Sequence, residues 1–457
     1  MFDLFFLPLG GASEIGASCF YLNIDGTGIL LDCGIHPRKS GFDSLPNFNL
    51  LKNHPVDAVF ISHAHQDHIG ALPYFVKQFP HVKIYSTVQT VEISMVTLNN
   101  AAKILKAQLS ENNQDLLYTH DELELMLKSV RTFDYEEEIS LRGLAHKNQN
   151  SISVTFHDAG HILGSSLIEI KYNGRIILYT GDIKLGSQSI LKGAAVFGIN
   201  ADLLITESTY GYLEDTLIPN RLDEIKRFTW ETNNVLNNGG SVLIPVFGLG
   251  KYQEMLSLIY SLMQKCKLVE TTIYTGGIGR RISRIYDTNK YLVKRNYENL
   301  NLHDIPQENY LEIEDLSHFI RKPGIVLATS GMMIEGTASL RMAKFWLKQK
   351  KFAVWIVGYI DPESTGYPIS AANKGDKIVV QNGTPVKVNC DVKKFHFPSH
   401  SSKTELLNFI DDLKPSKIIL IHGDYESKDK FGYEILSRFP KVKLYNAENS
   451  NSISLNV

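Results

Sequence analysis

The densest group of potential metal ligands in the sequence is the segment Ser-His-Ala-His-Gln-Asp-His at residues 62–68. It follows an apolar run of the kind that forms a buried strand. On extended backbone, His63 and His65 project to the same side, and Asp67 and His68 follow where a helix is expected to begin. Imidazole and carboxylate donors this close together suit a pair of divalent metal ions, with zinc the favoured element. A polar loop with solvated histidines is the alternative, but the density of donors argues against it.

Single potential ligands also stand at the ends of later apolar strands. His161, Asp182 and His422 each lie just past such a strand and next to a glycine. This placement is a common way to present a ligand at the rim of a sheet, although each residue alone is equally well explained as an ordinary loop residue. Their shared placement predicts that they converge on the histidine-rich segment. Asp32 has the same placement, and it is either a further ligand or a group that orients a ligand histidine.

The order of these residues resembles the metal motifs of the metallo-β-lactamase fold, and more narrowly those of its β-CASP nuclease branch. That branch adds an acidic residue after a strand, matched by Glu207, and two later histidines, matched by His400 and His422. The resemblance covers nearly the whole chain. It is closest to the endonuclease subunit of the cleavage and polyadenylation machinery and its prokaryotic relatives. The matching positions are Asp32, His63, His65, Asp67, His68, His161, Asp182, Glu207, His400 and His422.

The resemblance implies a zinc-dependent ribonuclease. It would hydrolyse phosphodiester bonds of single-stranded RNA with a hydroxide held between two zinc ions per chain. Endonucleolytic cleavage is expected, and 5′-to-3′ exonuclease activity stays open because both occur in the family. The implied ligands are His63, His65 and His161 for one ion and Asp67, His68 and His422 for the other, with Asp182 bridging the two.

The implied catalytic residues are Asp67, Asp182, Glu207 and His400. His400 would protonate the leaving 3′-oxygen as a general acid, and Glu207 would hold its tautomer. An ordinary surface histidine is the alternative for His400. Ser402 stands two residues after His400, where the family often has an acidic or other polar residue.

The elements that must position these residues divide the chain into three parts. Residues 1–208 alternate short apolar strands with tight turns, for example at Asp25-Gly26 and Asn173-Gly174, and include a helical stretch at 91–128 with a polar break near 111–113. Residues 209–394 alternate helices with apolar strands, which indicates βα units around a parallel sheet. Residues 395–457 return to helix and strand. With the resemblance, this order predicts an α/β protein: an αββα metallo-β-lactamase sandwich with an inserted α/β (β-CASP) domain.

The inserted domain is the predicted site of substrate contacts. It carries roughly five more basic than acidic residues, which favours a polyanion, although the chain as a whole has a net charge of −2. Arg341 and Lys344 are spaced to share a helix face with Lys348, and a solvated face explains them equally well. Ser330 and Gly331 follow a strand and could offer hydrogen-bond donors to a phosphate. Lys251 stands where the family usually has an arginine.

Composition limits the remaining choices. The four cysteines are far apart and form no CxxC pair, which argues against a disulfide-stapled secreted fold and a structural cysteine zinc site. No apolar run is long enough to span a bilayer. The sequence therefore predicts a soluble, cytoplasmic protein without a membrane partner. Its expected partner is single-stranded RNA, and a homodimer stays open.

Two other functions compete with a ribonuclease. A small-molecule hydrolase of the same fold, such as a lactamase or thioesterase, is disfavoured by the large insert and its motifs. A catalytically silent scaffold in an RNA-processing complex is disfavoured because every expected ligand is present.

Overall fold

The computed structural model describes residues 3–112, 117–146, 150–194, 196, 198–214, 218–380 and 383–455. The chain divides into two compact units. The first contains residues 1–187, 193–215 and 400–457, and the second contains residues 188–192 and 216–399. The limits differ from those predicted from the sequence. Residues 209–215, predicted in the inserted domain, belong to the first unit, and residues 395–399, predicted in the C-terminal part, belong to the second.

The first unit contains two seven-stranded sheets. The strands of the first sheet are β1 (Leu4–Gly10), β2 (Cys19–Ile24), β3 (Thr27–Leu31), β4 (Ala58–Phe60), β5 (Lys83–Thr87), β6 (Arg131–Phe133) and β22 (Ile453–Ser454). Their spatial order is β22-β1-β2-β3-β4-β5-β6. β1, β2 and β3 are antiparallel neighbours, whereas β3 to β6 run parallel to one another.

The second sheet has the order β21-β20-β11-β10-β9-β8-β7. Its strands are β7 (Glu138–Leu141), β8 (Ile152–Asp158), β9 (Ser166–Tyr172), β10 (Arg175–Tyr179), β11 (Leu203–Glu207), β20 (Lys417–Ile421) and β21 (Lys443–Asn446). β10, β11 and β20 are mutually parallel neighbours, so their carboxyl ends lie at one edge of the sheet.

Helices cover the outer face of each sheet. The helices of this unit are α1 (Gln66–Ile69), α2 (Leu72–Gln78), α3 (Val88–Asn112), α4 (His120–Ser129), α11 (Lys403–Leu413) and α12 (Tyr425–Arg438). The apolar inner faces of the two sheets form one core, in which the Phe60 and Phe156 rings lie 6.1 Å apart. A second core lies between the first sheet and α2 and α4, and a third lies between the second sheet and α11 and α12. This αββα layering confirms the predicted fold.

The second unit is an α/β domain around a six-stranded parallel sheet of order β14-β13-β15-β12-β16-β19. Its strands are β12 (Val242–Pro245), β13 (Thr272–Thr275), β14 (Glu308–Asn309), β15 (Gly324–Ala328), β16 (Ala353–Ile356) and β19 (Asp391–Lys394), with a small hairpin of β17 (Lys377–Ile378) and β18 (Val386–Lys387). Its helices are α5 (Arg221–Asn237), α6 (Lys251–Gln264), α7 (Ile278–Thr288), α8 (His318–Arg321), α9 (Ala338–Trp346) and α10 (Tyr367–Ser370). Short 3₁₀ helices span Gly41–Ser44, Phe48–Asn53 and Tyr310–Glu312.

The tight turns predicted from sequence are present. Asp25 and Gly26 join β2 to β3 with φ angles of 51° and 92°, and Asn173 and Gly174 join β9 to β10 with φ angles of 48° and 75°. Two positive φ values in a two-residue loop match the twist of the flanking strands, which explains these residue types. Within the described residues, no helix is both long enough and apolar enough to cross a membrane.

Two predicted helices differ in detail. The stretch 91–128 is two helices, α3 and α4, and the polar break lies partly at residue 113, outside the described residues. α9 ends at Trp346, so Lys348 lies past the helix, and only Arg341 and Lys344 share it.

Candidate metal centre

The residues of the candidate site are brought together by strand ends. His63 follows β4, and Asp32 follows the neighbouring parallel strand β3. In the second sheet Asp182 follows β10, Glu207 ends β11 and His422 follows β20. Because β10, β11 and β20 are parallel, these side chains emerge at the same edge. The short helix α1 then carries Asp67 and His68 beside them.

Three histidines and one carboxylate form a first donor group. Their potential ligand atoms lie within 4.8 Å of one another. Nδ1 of His65 is 3.1 Å from Nε2 of His63 and 3.2 Å from Nε2 of His161. Oδ2 of Asp182 is 3.5 Å from Nε2 of His63 and 3.6 Å from Nε2 of His161. This arrangement presents nitrogen and oxygen donors around one small volume.

A second donor group consists of Asp67, His68 and His422, whose potential ligand atoms also lie within 4.8 Å of one another. Oδ2 of Asp67 is 3.4 Å from Nε2 of His422 and 3.7 Å from Nε2 of His68. Oδ1 of Asp182 is 3.4 Å from Nε2 of His68 and 3.4 Å from Nδ1 of His422. Asp182 thus turns one carboxylate oxygen toward each group.

The charges and unsatisfied atoms of this cluster fit a divalent cation. Nε2 of His68 and Oδ1 of Asp182 are buried and make no hydrogen bond in the described part of the chain. Burial lowers the pKa of His63 well below its usual value. Burial also disfavours the charged form of His68, but Asp182, Asp67 and Asp32 outweigh it and raise the pKa of His68 to about 10. Buried carboxylates that hold a proton on an imidazole supply the negative charge that a bound cation would balance.

Asp32 orients His68, a member of the second donor group. Its Oδ1 accepts from the Ser62 amide at 2.6 Å, and its Oδ2 accepts from the Ser62 hydroxyl at 2.7 Å and the Tyr179 hydroxyl at 2.5 Å. Oδ2 also lies 2.8 Å from Nδ1 of His68, which leaves Nε2 of that ring facing the donor group. Sequence reasoning missed Ser62 and Tyr179, because a serine and a tyrosine at strand ends carry no pattern of their own.

Two residues of the candidate site have unusual backbone. Asp32 has φ of 60° and His422 has φ of 47°, in the left-handed region that non-glycine residues rarely adopt. The His422 amide donates to the carbonyl of Gly11 at 2.9 Å, which fixes this conformation. Such backbone concentrates where side chains must be aimed at a functional centre.

Buried Glu207 and partly exposed His400 form a pair beside the donor groups. Nδ1 of His400 lies 3.0 and 3.1 Å from the two oxygens of Glu207, and Nε2 lies 4.0 Å from Oδ2 of Asp182. Glu207 also accepts from the Ile183 amide at 2.8 Å. Burial opposes the charge on both partners, yet each stabilises the other. The His400 imidazolium helps lower the pKa of Glu207 to about 2, and the Glu207 carboxylate helps raise the pKa of His400 to about 9.

Ser401 and Ser402, the two residues after His400, form hydrogen bonds with main-chain groups. Ser401 donates its amide and hydroxyl to the Ile183 carbonyl at 2.9 and 3.0 Å, and so fixes the segment after Asp182. Ser402 is the N-cap of α11 and forms a capping box with Glu405. Its side chain therefore closes the helix terminus, which explains a hydroxyl residue at this position.

The predicted substrate contacts all lie in the second unit. Ser330 and Gly331 directly follow β15, and Oγ of Ser330 is buried and makes no hydrogen bond in the described part of the chain. Arg341 is exposed on α9 and Lys344 is half-buried on it. Lys251 differs: its side chain is buried and its ammonium group donates to the Phe397 carbonyl within the same unit. An ammonium group used in this way is not directed at a ligand, so we leave Lys251 out of the proposed contacts.

Comparison with known proteins matches three family domains in chain order. They are the Metallo-beta-lactamase superfamily domain at residues 21–209, the Beta-Casp domain at 252–369 and the Zn-dependent metallo-hydrolase RNA specificity domain at 385–443. A crystal structure of a protein of unknown function from Enterococcus faecalis V583 has the same fold, with a TM-score of 0.57, 14% identity and coverage of 99% of this chain and 100% of that one.

Curated relatives match along nearly all of the chain. The RNase J-like protein of Methanocaldococcus jannaschii is 30% identical over 426 residues, which are 92% of each protein. Cleavage and polyadenylation specificity factor 73 of Drosophila melanogaster is 31% identical over 98% of this chain and 64% of its own length. The Candida glabrata endoribonuclease YSH1 is 29% identical over 96% of this chain and 57% of its own length. The chain thus spans less than two thirds of these last two relatives.

The fold, the strand-end donor set and these matches define a protein of the metallo-β-lactamase superfamily. Within it, the chain belongs to the β-CASP branch, which includes the RNase J-like and cleavage-factor relatives. Membership implies a divalent metal site, and the His and Asp clusters described above have the composition to hold one.

Proposed function

We propose that this chain is a ribonuclease that hydrolyses phosphodiester bonds of single-stranded RNA and uses two zinc ions. The observation that carries the proposal is the pair of donor groups that share Asp182 between them. One group is rich in imidazole and the other adds the Asp67 carboxylate, and these donor types suit zinc. Two such groups joined by one carboxylate would hold two cations close together, as two-metal hydrolysis requires.

The ligand assignment follows the two groups. His63, His65 and His161 would hold one ion, Asp67, His68 and His422 would hold the other, and Asp182 would bridge them. When bound, the ions would lower the pKa of a water between them and neutralise charge on the phosphodiester. Asp32 fixes the ring of His68 by its contact with Nδ1 and so keeps Nε2 directed at the site.

His400 is the proposed general acid. Its Nδ1 is held by Glu207, so Nε2 is the nitrogen that points toward Asp182 and the reacting phosphodiester. A pKa of about 9 keeps the ring protonated at neutral pH, where it can give a proton to the leaving 3′-oxygen. Glu207 is fully buried and accepts three hydrogen bonds, which keeps it ionised and holds the acid in place.

RNA is the proposed substrate because three separate features favour it. One of the matched family domains is described as an RNA specificity domain. Two of the relatives are called an endoribonuclease and an RNase J-like protein. The insert offers the buried hydroxyl of Ser330 and the exposed Arg341 as phosphate contacts, with Gly331 and Lys344 beside them. Endonucleolytic cleavage is the proposed mode and 5′-to-3′ exonuclease activity stays open, while the cytoplasmic location and the homodimer stay predictions.

The test is cleavage of a labelled single-stranded RNA analysed on a denaturing gel, with the 5′ end either free or blocked, and with and without a chelator. The proposal expects internal cleavage of both RNAs that stops when the chelator is added and returns with zinc or manganese. Turnover of a lactam or thioester with no cleavage of RNA would favour a small-molecule hydrolase. No turnover of any substrate by metal-loaded protein would make the chain a scaffold.

A further inference from the structure

Thr209 lies between the two parts of the site, and neither the donor groups nor the acid pair includes it. It stands two residues after Glu207, in the loop that leaves β11. Its Oγ1 forms a short hydrogen bond to Oε2 of Glu207 and lies 3.2 Å from Nδ1 of His422. One hydroxyl group therefore contacts both the carboxylate that holds His400 and the imidazole of a ligand residue.

The direction of these hydrogen bonds follows from which groups carry a proton to donate and which can only accept one. Ionised Glu207 can only accept, so the single hydroxyl proton of Thr209 is donated to it. Oγ1 then has lone pairs left for Nδ1 of His422. The other neighbour of this Nδ1, Oδ1 of Asp182 at 3.4 Å, is also an acceptor. Both neighbours thus favour the tautomer with its proton on Nδ1, which leaves the lone pair of Nε2, 3.4 Å from Asp67, for a cation.

We propose that Thr209 is a positioning residue that holds His422 in the tautomer needed for metal binding and links this ligand to the Glu207–His400 pair. The proposal rests on the proposed function, and it adds one relay of hydrogen bonds to it: His422 to Thr209, Thr209 to Glu207, and His400 to Glu207. A partner of a ligand histidine of this kind typically contributes about 10–100-fold to metal affinity or activity.

The test compares Thr209→Val with Thr209→Ser. Valine keeps the shape of threonine but removes the hydroxyl group, whereas serine keeps the hydroxyl group and removes a methyl. Thr206→Val is the matched control, since Thr206 is a buried threonine three residues earlier whose hydroxyl, among the described residues, donates to the Glu207 main-chain carbonyl alone, at 3.3 Å. Thr209→Ala, which also lacks the hydroxyl group, replaces the valine variant if that protein does not fold.

Two measurements are made on each protein. The first titrates cobalt(II) into metal-free protein and follows the visible absorption of the bound ion, with no RNA present. The second measures kcat and KM for a single-stranded RNA. For Thr209→Val we expect one of the two cobalt ions to bind about 10–100-fold more weakly and kcat to fall by a similar factor with KM unchanged. Thr209→Ser and Thr206→Val should match the wild type in both measurements.

The outcomes separate this inference from the proposed function. If wild-type protein binds fewer than two cobalt ions or does not cleave RNA, the proposed function fails, whatever Thr209 does. If wild-type protein does both and Thr209→Val binds cobalt as tightly as Thr206→Val does, Thr209 does not position His422. If Thr209→Ser is as impaired as Thr209→Val, the methyl group rather than the hydroxyl group matters, and the hydrogen-bond relay is refuted.

Discussion

Both units of the chain end parallel strands in loops at the carboxyl edge of a sheet, yet the two edges carry different chemistry. In the first unit that edge presents Asp182, Glu207 and His422, all buried and held by hydrogen bonds or ion pairs. In the second unit the loops after the central strands present glycine, threonine and serine, as in Thr329-Ser330-Gly331, and the basic residues Arg341 and Lys344 lie on α9. The first edge concentrates negative charge and imidazole, whereas the second offers neutral donors, and the exposed Arg341 of that unit lies on a helix.

Under the proposed function, this difference would assign bond cleavage to the first unit and phosphate contacts to the second. A buried surplus of carboxylates can hold divalent cations and an imidazolium, but it repels a polyanion. Neutral donors and exposed guanidinium groups attract phosphates without being able to activate a water. We therefore expect substitutions at the first edge to act on metal content and kcat, and substitutions in the second unit to act on RNA affinity and its salt dependence.

The largest effect is expected at Asp67. Asp67→Ala removes the only carboxylate that belongs to the second donor group alone, so cleavage of RNA should fall below detection and one metal ion should be lost. The fold should persist, because Asp67 lies at the rim of the sheets and outside their apolar cores. Circular dichroism, metal analysis and a cleavage assay check this, with exposed Asp121→Asn as the control. Cleavage by Asp67→Ala at nearly the wild-type rate would remove Asp67 from the site.

A smaller loss is expected at His400. His400→Asn should lower kcat by about 10²–10⁴-fold, as is typical for loss of a general acid, while metal content and RNA affinity stay unchanged. His422→Ala should instead lose metal together with activity, because a ligand is removed. His157→Asn is the control for loss of an imidazole, since His157 is a buried histidine that pairs with Glu136 and belongs to neither donor group. Equal metal loss in the His400 and His422 variants would make His400 a ligand.

The pH dependence of the same residue gives a sharper test. The pKa of His400 is raised to about 9, so the acid form dominates below that pH and is lost above it. The rate with ordinary RNA should therefore fall as pH rises through about 9. A substrate with sulfur in place of the leaving 3′-oxygen needs no proton and should keep its rate there. If both substrates lose rate equally as the pH rises, a group other than His400 causes the fall in rate.

In the second unit we expect an effect on binding alone. Arg341→Gln should weaken RNA affinity by a few-fold and reduce the slope of log affinity against log salt by about 0.7, the value for one phosphate contact on a single strand. Its kcat at saturating RNA should not change. Arg321→Gln is the control, since Arg321 is also exposed but pairs with Asp315 at 3.2 Å. A lower kcat in Arg341→Gln would contradict the expectation that substitutions in the second unit act on RNA affinity alone.

The smallest effect on activity is expected at Ser402, although it lies two residues from His400. Ser402→Ala removes the N-cap of α11 and should cost about 1 kcal/mol of stability, seen as a lower midpoint of thermal unfolding. The cleavage rate should stay within about two-fold of the wild type, because the side chain contacts the helix terminus and no reacting group. Ser402→Thr, which keeps the cap, should unfold like the wild-type protein.

The sequence predicted the sandwich and the insert because both depend on local patterns. Short strands separated by Asp-Gly and Asn-Gly turns, followed by alternating helices and strands, indicate the two kinds of sheet. The dense donors from His63 to His68 stand out for the same reason. Placing His161, Asp182 and His422 with them needed their common position after strands and the family resemblance, since they are separated by hundreds of residues in total.

Other features of the site depend on contacts that have no signature in the sequence. The roles of Ser62, Tyr179 and Thr209 come from hydrogen bonds to groups on distant strands, and common hydroxyl residues give no signal before the chain is folded. The partner of Lys251 is also set by folding. The position matches one where the family usually has an arginine, which suggested a substrate contact, but the buried ammonium group donates to a main-chain carbonyl. Charge alone does not say which cations a fold uses internally.

The central claim is that two donor groups share Asp182 and hold two metal ions, and elemental analysis tests it most directly. Protein purified without chelator, together with its Asp182→Ala variant, would be analysed for zinc and other divalent metals alongside RNA cleavage. We expect about two zinc ions per chain in the wild type, loss of both metal and activity in the variant, and recovery of chelated wild type on adding zinc. Less than about one ion per chain, with no gain of activity on adding zinc or manganese, would contradict the account.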